Sequence, residues 1–332
     1  MLSAALVDHV LATVPARRVG LLGDLFLDRY LDIDASLTEP SIETGLDAYQ
    51  ITGVRSNPGA LGTVINNLVA LGVGDIRPVA LIGDDGEGYE LRQALQKMPG
   101  VSLDGLVNCP GARTPTYTKP MLNRAGRIPQ ELNRLDIKNR RPTPAAVEDA
   151  LIKQFEAWWE HVDAWIVLDQ VSEEDCGVVT RRVREWVARL AAADPAKFVL
   201  ADSRERIGLF QAVSVKPNAR EAESHPGGAA QFAATLGRPV FVTQGEQGID
   251  LYSAKGELEH ILGYPVGGPI DIVGAGDSTG AGITCGIVSG LTIPQAAAFG
   301  NLVASITVQQ IGTTGTATPA QVRDRFREVS GS

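Results

Sequence analysis

Short apolar, β-rich runs alternate along this chain with longer stretches of helical period, and that alternation leaves few folds open. Runs at 18–23, 77–83, 164–168, 197–201, 213–216 and 239–243 read as strands. Stretches at 62–71, 86–96, 145–160, 175–192 and 219–236 read as helices. Strands joined through helices make a mostly parallel sheet with helices on both faces, a three-layer α/β/α arrangement. Ligands of such sheets bind outside the carboxyl ends of the strands. Polar or glycine clusters follow several of these runs, so the strand ends are where chemistry is expected.

Two segments break the alternation. The stretch 31–56 has mixed polarity with strand-like pieces, and 113–136 reads similarly, Thr116, Tyr117 and Thr118 leading into a loop. Both are expected to leave the main sheet and together form a small β lid. No internal repeat or low-complexity linker interrupts the chain, so 1–332 is expected to be one domain. The formal charge of −9 leaves no basic stripe for a phosphate backbone, which argues against a nucleic-acid partner. Three cysteines, Cys109, Cys176 and Cys285, lie far apart without metal-ligand spacing, as expected of a reducing cytoplasm. The four histidines are isolated and are assigned no chemistry.

From Ser278 to Val322 the chain carries no charged residue, and Gly282, Gly286 and Gly290 form two overlapping GxxxG patterns. A membrane helix would need about 20 continuous apolar residues, and Thr, Ser, Gln, Asn and Pro294 interrupt this run. Two buried helices of a soluble domain, glycines marking where another element comes close, are expected, with no signal peptide and no membrane partner.

That uncharged stretch opens on Asp271-Ile-Val-Gly-Ala-Gly-Asp277. A glycine-rich turn at a helix start aims several backbone N–H groups one way and adds the positive end of the helix dipole, an anion site. A carboxylate there can take a proton from an alcohol while the N–H groups stabilise charge on a transferring phosphoryl group. The same residues also describe a plain helix N-cap, for which Asp is favoured.

With other landmarks in order, the chain resembles the ribokinase-like (PfkB-type) sugar kinases from about Val19 to Thr318. Asp271-x-x-Gly274-Ala275-Gly276-Asp277 with Ala281-Gly282 is similar to that family's C-terminal signature. Asn218-x-x-Glu221 looks like its magnesium and phosphate motif, Thr243-x-Gly245-x-x-Gly248 like its nucleotide turn, and Gly83-x-Asp85-x-x-Gly88 like an early turn. Gly23-Asp24-x-x-x-Asp28-Arg-Tyr30 resembles its first strand and sugar-binding aspartate. Within the family the likeness is nearest to the heptose-phosphate kinase branch, through Pro58-Gly59, Asn67, Leu71-Gly72 and Arg134-Leu-Asp136. That branch often carries a fused nucleotidyltransferase. No His-x-x-His or His-x-Gly-His pair is present, so only a kinase half is expected.

The resemblance implies a ribokinase-like fold and an ATP- and Mg2+-dependent phosphotransferase acting on a sugar or sugar phosphate. Asp277 is then the base, and the backbone of Gly274, Ala275 and Gly276 the anion hole. Asn218, Glu221, Thr243, Gly245, Gly248 and Asn301 meet the nucleotide, Glu221 holding magnesium through water. Asp24, Asp28, Gly59, Ala60, Thr63 and Arg134 meet the acceptor. Asp271 matches a potassium position of relatives, and the lid is where a homodimer is expected. Asn301 could instead cap a buried backbone group, and Lys119, Arg124 and Arg127 could meet a sugar phosphate or solvent.

Departures cluster at the sugar end. The family's second glycine is Ala60, and Thr63 stands where the branch has an Asn. Asp169-Gln-Val-Ser replaces Asp-Tyr-x-Lys-Gly. A nucleoside or other non-sugar kinase, or a degenerate metabolite-binding protein, are the competing readings. Dinucleotide and P-loop enzymes are disfavoured, since neither glycine motif occurs.

Overall fold

The structure, a computed structural model, describes residues 2–223 and 225–331. Nine strands form the central sheet. Across it run Leu258–Leu262, Gly248–Tyr252, Val240–Thr243, Ser214–Val215, Phe198–Ser203, Ala164–Asp169, Arg18–Gly23, Asp75–Ile82 and Leu106–Asn108. From Val240–Thr243 to Leu106–Asn108 every pairing is parallel, as the alternation of runs and helices requires. Gly248–Tyr252 and Leu258–Leu262 return antiparallel at one edge. The sequence reading has neither strand; Leu258–Leu262 is exposed at all positions but one and lacks a buried strand's apolar run.

Alternate residues of the parallel strands enter separate cores on the two faces. Leu21, Ile166 and Leu168 join the helices Leu61–Leu71, Ala275–Val288 and Ile293–Thr307 on one face. Leu22, Trp165 and Val167 join Ala145–Trp159, Arg181–Ala193 and Gly228–Leu236 on the other. Each fully buried Leu or Ile is worth roughly 1.5–3 kcal/mol, so the sheet is anchored from both sides.

The uncharged C-terminal stretch supplies two of these helices. A Cβ on Gly282 would stand 2.8 Å from Gly300 Cα, and one on Gly286 would stand 2.9 Å from Ala296 Cα. The GxxxG spacing therefore lets two helices of the core touch. Among the described residues no helix is long and apolar enough to cross a membrane.

Two expected helices are shorter than their periodicity suggests. The stretch 175–192 becomes helical only at Arg181, behind the Thr180 cap, because tertiary hydrogen bonds hold the residues before it in a loop. The stretch 219–236 divides into Ala219–Glu223 and Gly228–Leu236, with Gly227 left-handed at φ 83° behind Pro226. Ser224, inside that expected helix, lies outside the described residues.

The lid is a sheet of Leu135–Ile137, Thr116–Asn123, Leu25–Asp34 and Ile51–Ala60, with Gln130–Glu131 added to its side. It begins earlier than 31, because Leu25–Asp34 is one continuous strand leaving the end of Arg18–Gly23. Asp28 therefore rides on the lid rather than on the central sheet.

Candidate active site

At the end of the loop before Ala275–Val288 the chain turns through Gly274, whose φ of 80° is left-handed and suits glycine. Asp271 fixes this turn: Val273 N–H donates to Oδ1 at 3.0 Å and Gly312 N–H to Oδ2 at 3.0 Å. The position expected to bind potassium thus clasps two loops together.

Asp277 lies in the first helical turn, half-buried. Its carboxyl is pushed up to about 7, by burial first and then by the nearby Asp202, with Lys216 and Arg204 pulling the other way. A carboxyl poised near neutrality suits a group that must both accept and release a proton.

Lys216 is buried beside it, Nζ 2.6 Å from Asp202 Oδ2. A Cβ on Gly276 would stand 3.2 Å from that Nζ, so the ammonium faces the glycine turn directly. Burial alone would lower the ammonium, but Asp202, Asp277 and Glu221 outweigh it and hold it protonated. The sequence reading missed this pair. Its members leave the ends of neighbouring strands, Phe198–Ser203 and Ser214–Val215, and only the pairing of those strands brings them together.

The motifs expected to meet the nucleotide converge on the same edge. Glu221 N–H donates to Asn218 Oδ1 and Asn218 N–H donates to Glu221 Oε2, at 2.9 and 2.8 Å. This reciprocal cap explains the Asn-x-x-Glu spacing structurally and leaves the carboxylate beside Lys216. Burial, ahead of the other influences, raises the Glu221 carboxyl. Thr243 bridges to Asn218 across the sheet and donates its backbone N–H to Pro217 O at 2.9 Å. Gly245 and Gly248 turn the chain after Thr243 at φ of 59° and 105°. Asn301 is buried, with Nδ2 donating to Ile261 O and Leu262 O, both at 3.1 Å. Its amide nitrogen is engaged by backbone, as in the capping alternative.

At the acceptor end, Asp28 lies against Gly59, where a Cβ would come within 2.8 Å of Oδ2. Lys119 Nζ lies 3.7 Å from Asp28 and 3.1 Å from Tyr30 Oη. Burial holds the Asp28 carboxyl above its usual range, with Lys119 and Arg134 working against it. Arg134 forks onto Asp136 at 2.7 and 2.8 Å and stacks 4.3 Å from the Tyr117 ring centre. Arg204, another residue missed in the sequence, hydrogen-bonds Tyr117 and through its charge works against the rise of the Asp277 carboxyl. Thr63 is buried with its methyl 3.3 Å from where a Cβ on Gly274 would stand, joining the sugar-end motif to the anion turn. Ala60 takes φ 51°, ψ −112°, a glycine-like conformation in a residue with a side chain.

Asp24, expected among the acceptor ligands, has a buried carboxylate that accepts N–H groups from Gln170 and Val171 at Oδ2 and from Val178 at Oδ1. It staples the loop 170–178 to the first strand. Asp169, at the altered motif, is likewise buried, taken by Ser203 and Arg206. Among the described residues no group of three or more His, Cys, Asp or Glu side chains could hold a metal ion.

A family model described as pfkB family carbohydrate kinase matches residues 26–321. The chain is 28% identical over 317 residues to the bifunctional protein HldE of Trichlorobacter lovleyi, covering 91% of this chain and 61% of that one. It is 29% identical over 326 residues to the protein of the same name from Pelobacter propionicus, covering 91% and 62%. The chain thus spans about three fifths of the length of these relatives. Among solved structures, ribokinase from Thermotoga maritima is similar at a TM-score of 0.66 and 18% identity, covering 94% of this chain and 99% of that one. Burkholderia thailandensis nucleoside kinase with inosine is similar at a TM-score of 0.63 and 17% identity, covering 95% and 99%. With the glycine turn, its aspartate and the lid in place, and a family model spanning nearly the whole fold, the chain belongs to the pfkB family of carbohydrate kinases.

Proposed function

We propose that this kinase transfers the terminal phosphoryl group of ATP to a hydroxyl of a sugar or sugar phosphate, with Asp277 as the base. The observation that carries the reading is the placement of a near-neutral carboxyl in the first turn behind Gly274, with a buried ammonium facing the same turn. The acceptor lies under the lid between Asp28, Gly59 and Thr63, and its hydroxyl gives a proton to Asp277 as the oxygen attacks phosphorus in line. The P–O bond to ADP breaks as the new one forms, so ADP leaves with the bridging oxygen. N–H groups of the glycine turn and the Lys216 ammonium meet the charge on the transferring group. Glu221 would help hold a magnesium ion, which would supply charge neutralisation on the phosphates. Lys119 and Arg134, though paired with Asp28 and Asp136, put cationic donors at the acceptor end that a phosphate on the acceptor would engage. The relatives named HldE support a heptose phosphate as the acceptor class to test first.

The test is an ADP-release screen over neutral sugars and sugar phosphates with MgATP, run beside Asp277→Asn. Release that depends on a sugar or sugar phosphate and is lost in the variant is expected. Acceptor-dependent release that survives in the variant overturns the assignment.

A further inference from the structure

A cavity of 530 Å³ opens where the lid strand Leu25–Asp34 leaves the central sheet, between the segments 109–115, 138–144 and 171–178. Leu81, Ile82, Leu25 and Phe26 make its apolar base. It opens at Thr143 and Pro144, at the start of the helix Ala145–Trp159.

Its charge is unusual for a chain with a formal net charge of −9. Arg113, Lys138, Arg140 and Arg141 line it, and the sole carboxylate in the lining, Asp24, already accepts three backbone N–H groups. Lys138 and Arg140 reach one oxygen of Glu173 only at 3.8 and 3.6 Å. Arg113 is held by Asp85 and Glu87. Arg141 has no ion-pair partner among the described residues. Cations brought together by two separate segments over an apolar base repel one another unless an anion joins them. A volume of this size suits a metabolite, and guanidinium forks match phosphate oxygens.

We infer that this cavity is an effector site for a small phosphate ester, separate from the acceptor and nucleotide sites. The phosphate sits among Arg140, Arg141 and Lys138, and the organic part lies on Phe26 and Leu81. Phe26 gives the site a route to catalysis. Its ring packs edge-on to Tyr117 at 5.2 Å, and Tyr117 carries Arg134 on the acceptor side. An occupant that fixes Phe26 therefore changes acceptor affinity, and by linkage acceptor changes occupant affinity by the same factor.

The experiment titrates the full chain, without nucleotide, with inorganic phosphate, glycerol 3-phosphate, glucose 6-phosphate and phosphoenolpyruvate, read by calorimetry and thermal shift. At least one ester is expected to bind at one site per chain. The double variant Arg140→Glu, Arg141→Glu should weaken it at least ~10-fold, with ADP release at saturating acceptor within about twofold of wild type. Both arginines are exposed, and Lys138→Met gives a milder second variant with the same expected direction. Absence of binding by every probe overturns the inference, as does binding that the variants leave unchanged. Complete displacement of the ester by acceptor also overturns it, since the cavity would then belong to the acceptor pocket. Wild-type ADP release is measured on the same preparation. Its absence counts against the kinase reading and leaves the binding result standing.

Discussion

Lys216 and Asp202 form a buried ion pair, Nζ to Oδ2 at 2.6 Å, and the ammonium faces the glycine turn that starts the helix of Asp277. Neither residue is part of a recognisable motif, yet together they set the electrostatics of the Asp277 carboxyl. Asp202 pushes the Asp277 carboxyl up and Lys216 pulls it down, both less strongly than burial.

Turnover of Asp277→Asn should fall at least ~10²-fold while nucleotide affinity holds, the scale of a lost general base. On the proposed mechanism the ionised form of Asp277 is the active one. With the carboxyl at about 7, kcat/KM should rise as pH increases through neutrality and level off above it. A pH–rate profile between pH 5 and 9 checks both, and a flat profile with full activity at low pH removes Asp277 from the mechanism.

The same shift has a stability consequence. A carboxyl held at about 7 in the fold and near 3.8 when unfolded binds a proton more tightly in the native state between those values. Its contribution is fully present below the lower value and is lost as pH rises through the upper one. Asp24, raised to about 6 by burial and then by Asp169, acts in the same sense and is common to both proteins. Asp277→Asn should therefore gain thermal stability over wild type at pH 8 and gain less at pH 5. Melting curves at the two pH values decide it; an equal difference at both contradicts the raised carboxyl.

Changing the ion pair should move the base in opposite directions. Asp202→Asn removes a neighbouring negative charge and should bring the rising limb of the pH–rate profile to lower pH. Lys216→Met should take it to higher pH and lower kcat by ~10-fold or more, since an unpaired Asp202 remains buried. If both variants shift the limb the same way, the pair does not act through charge.

Glu221→Gln should raise the magnesium concentration needed for half-maximal activity with little change in acceptor KM, because a carboxylate orders the hydrated ion. The amide can still accept from Asn218 N–H, so the cap survives. Identical magnesium titrations for both proteins would remove Glu221 from the ion's surroundings.

Ala60→Gly should stabilise the protein by about 1 kcal/mol, the scale of relieving a side chain held at positive φ and less the added freedom of the unfolded chain. Thr63→Asn in that background should improve kcat/KM for heptose 7-phosphate relative to the native acceptor, by restoring an amide's two-way hydrogen bonding beside Gly274. Denaturant curves test the first part and paired kinetics the second. Efficient wild-type use of heptose 7-phosphate at the outset would show that Thr63 does not set specificity.

Contiguous residues carried the parts of this protein that sequence determined by itself. Alternating runs and helices dictate a parallel sheet, because strands joined through helices can hardly pair otherwise, and the segment from Asp271 to Asp277 specifies a glycine turn and helix start locally. The Asn218–Glu221 spacing announces its own cap. Tertiary structure alone decided the partners. Sequence could not tell Asp24 from Asp28, two carboxylates four residues apart: one points into a loop that donates three N–H groups, the other rides out on the lid beside Lys119. It could not join Lys216 to Asp202, or Thr63 to Gly274, because each pair meets only when separate elements pack. Nor could it place four cations around one cavity. Local propensity acts over a few residues, whereas charge and contact act across whatever space the fold brings together.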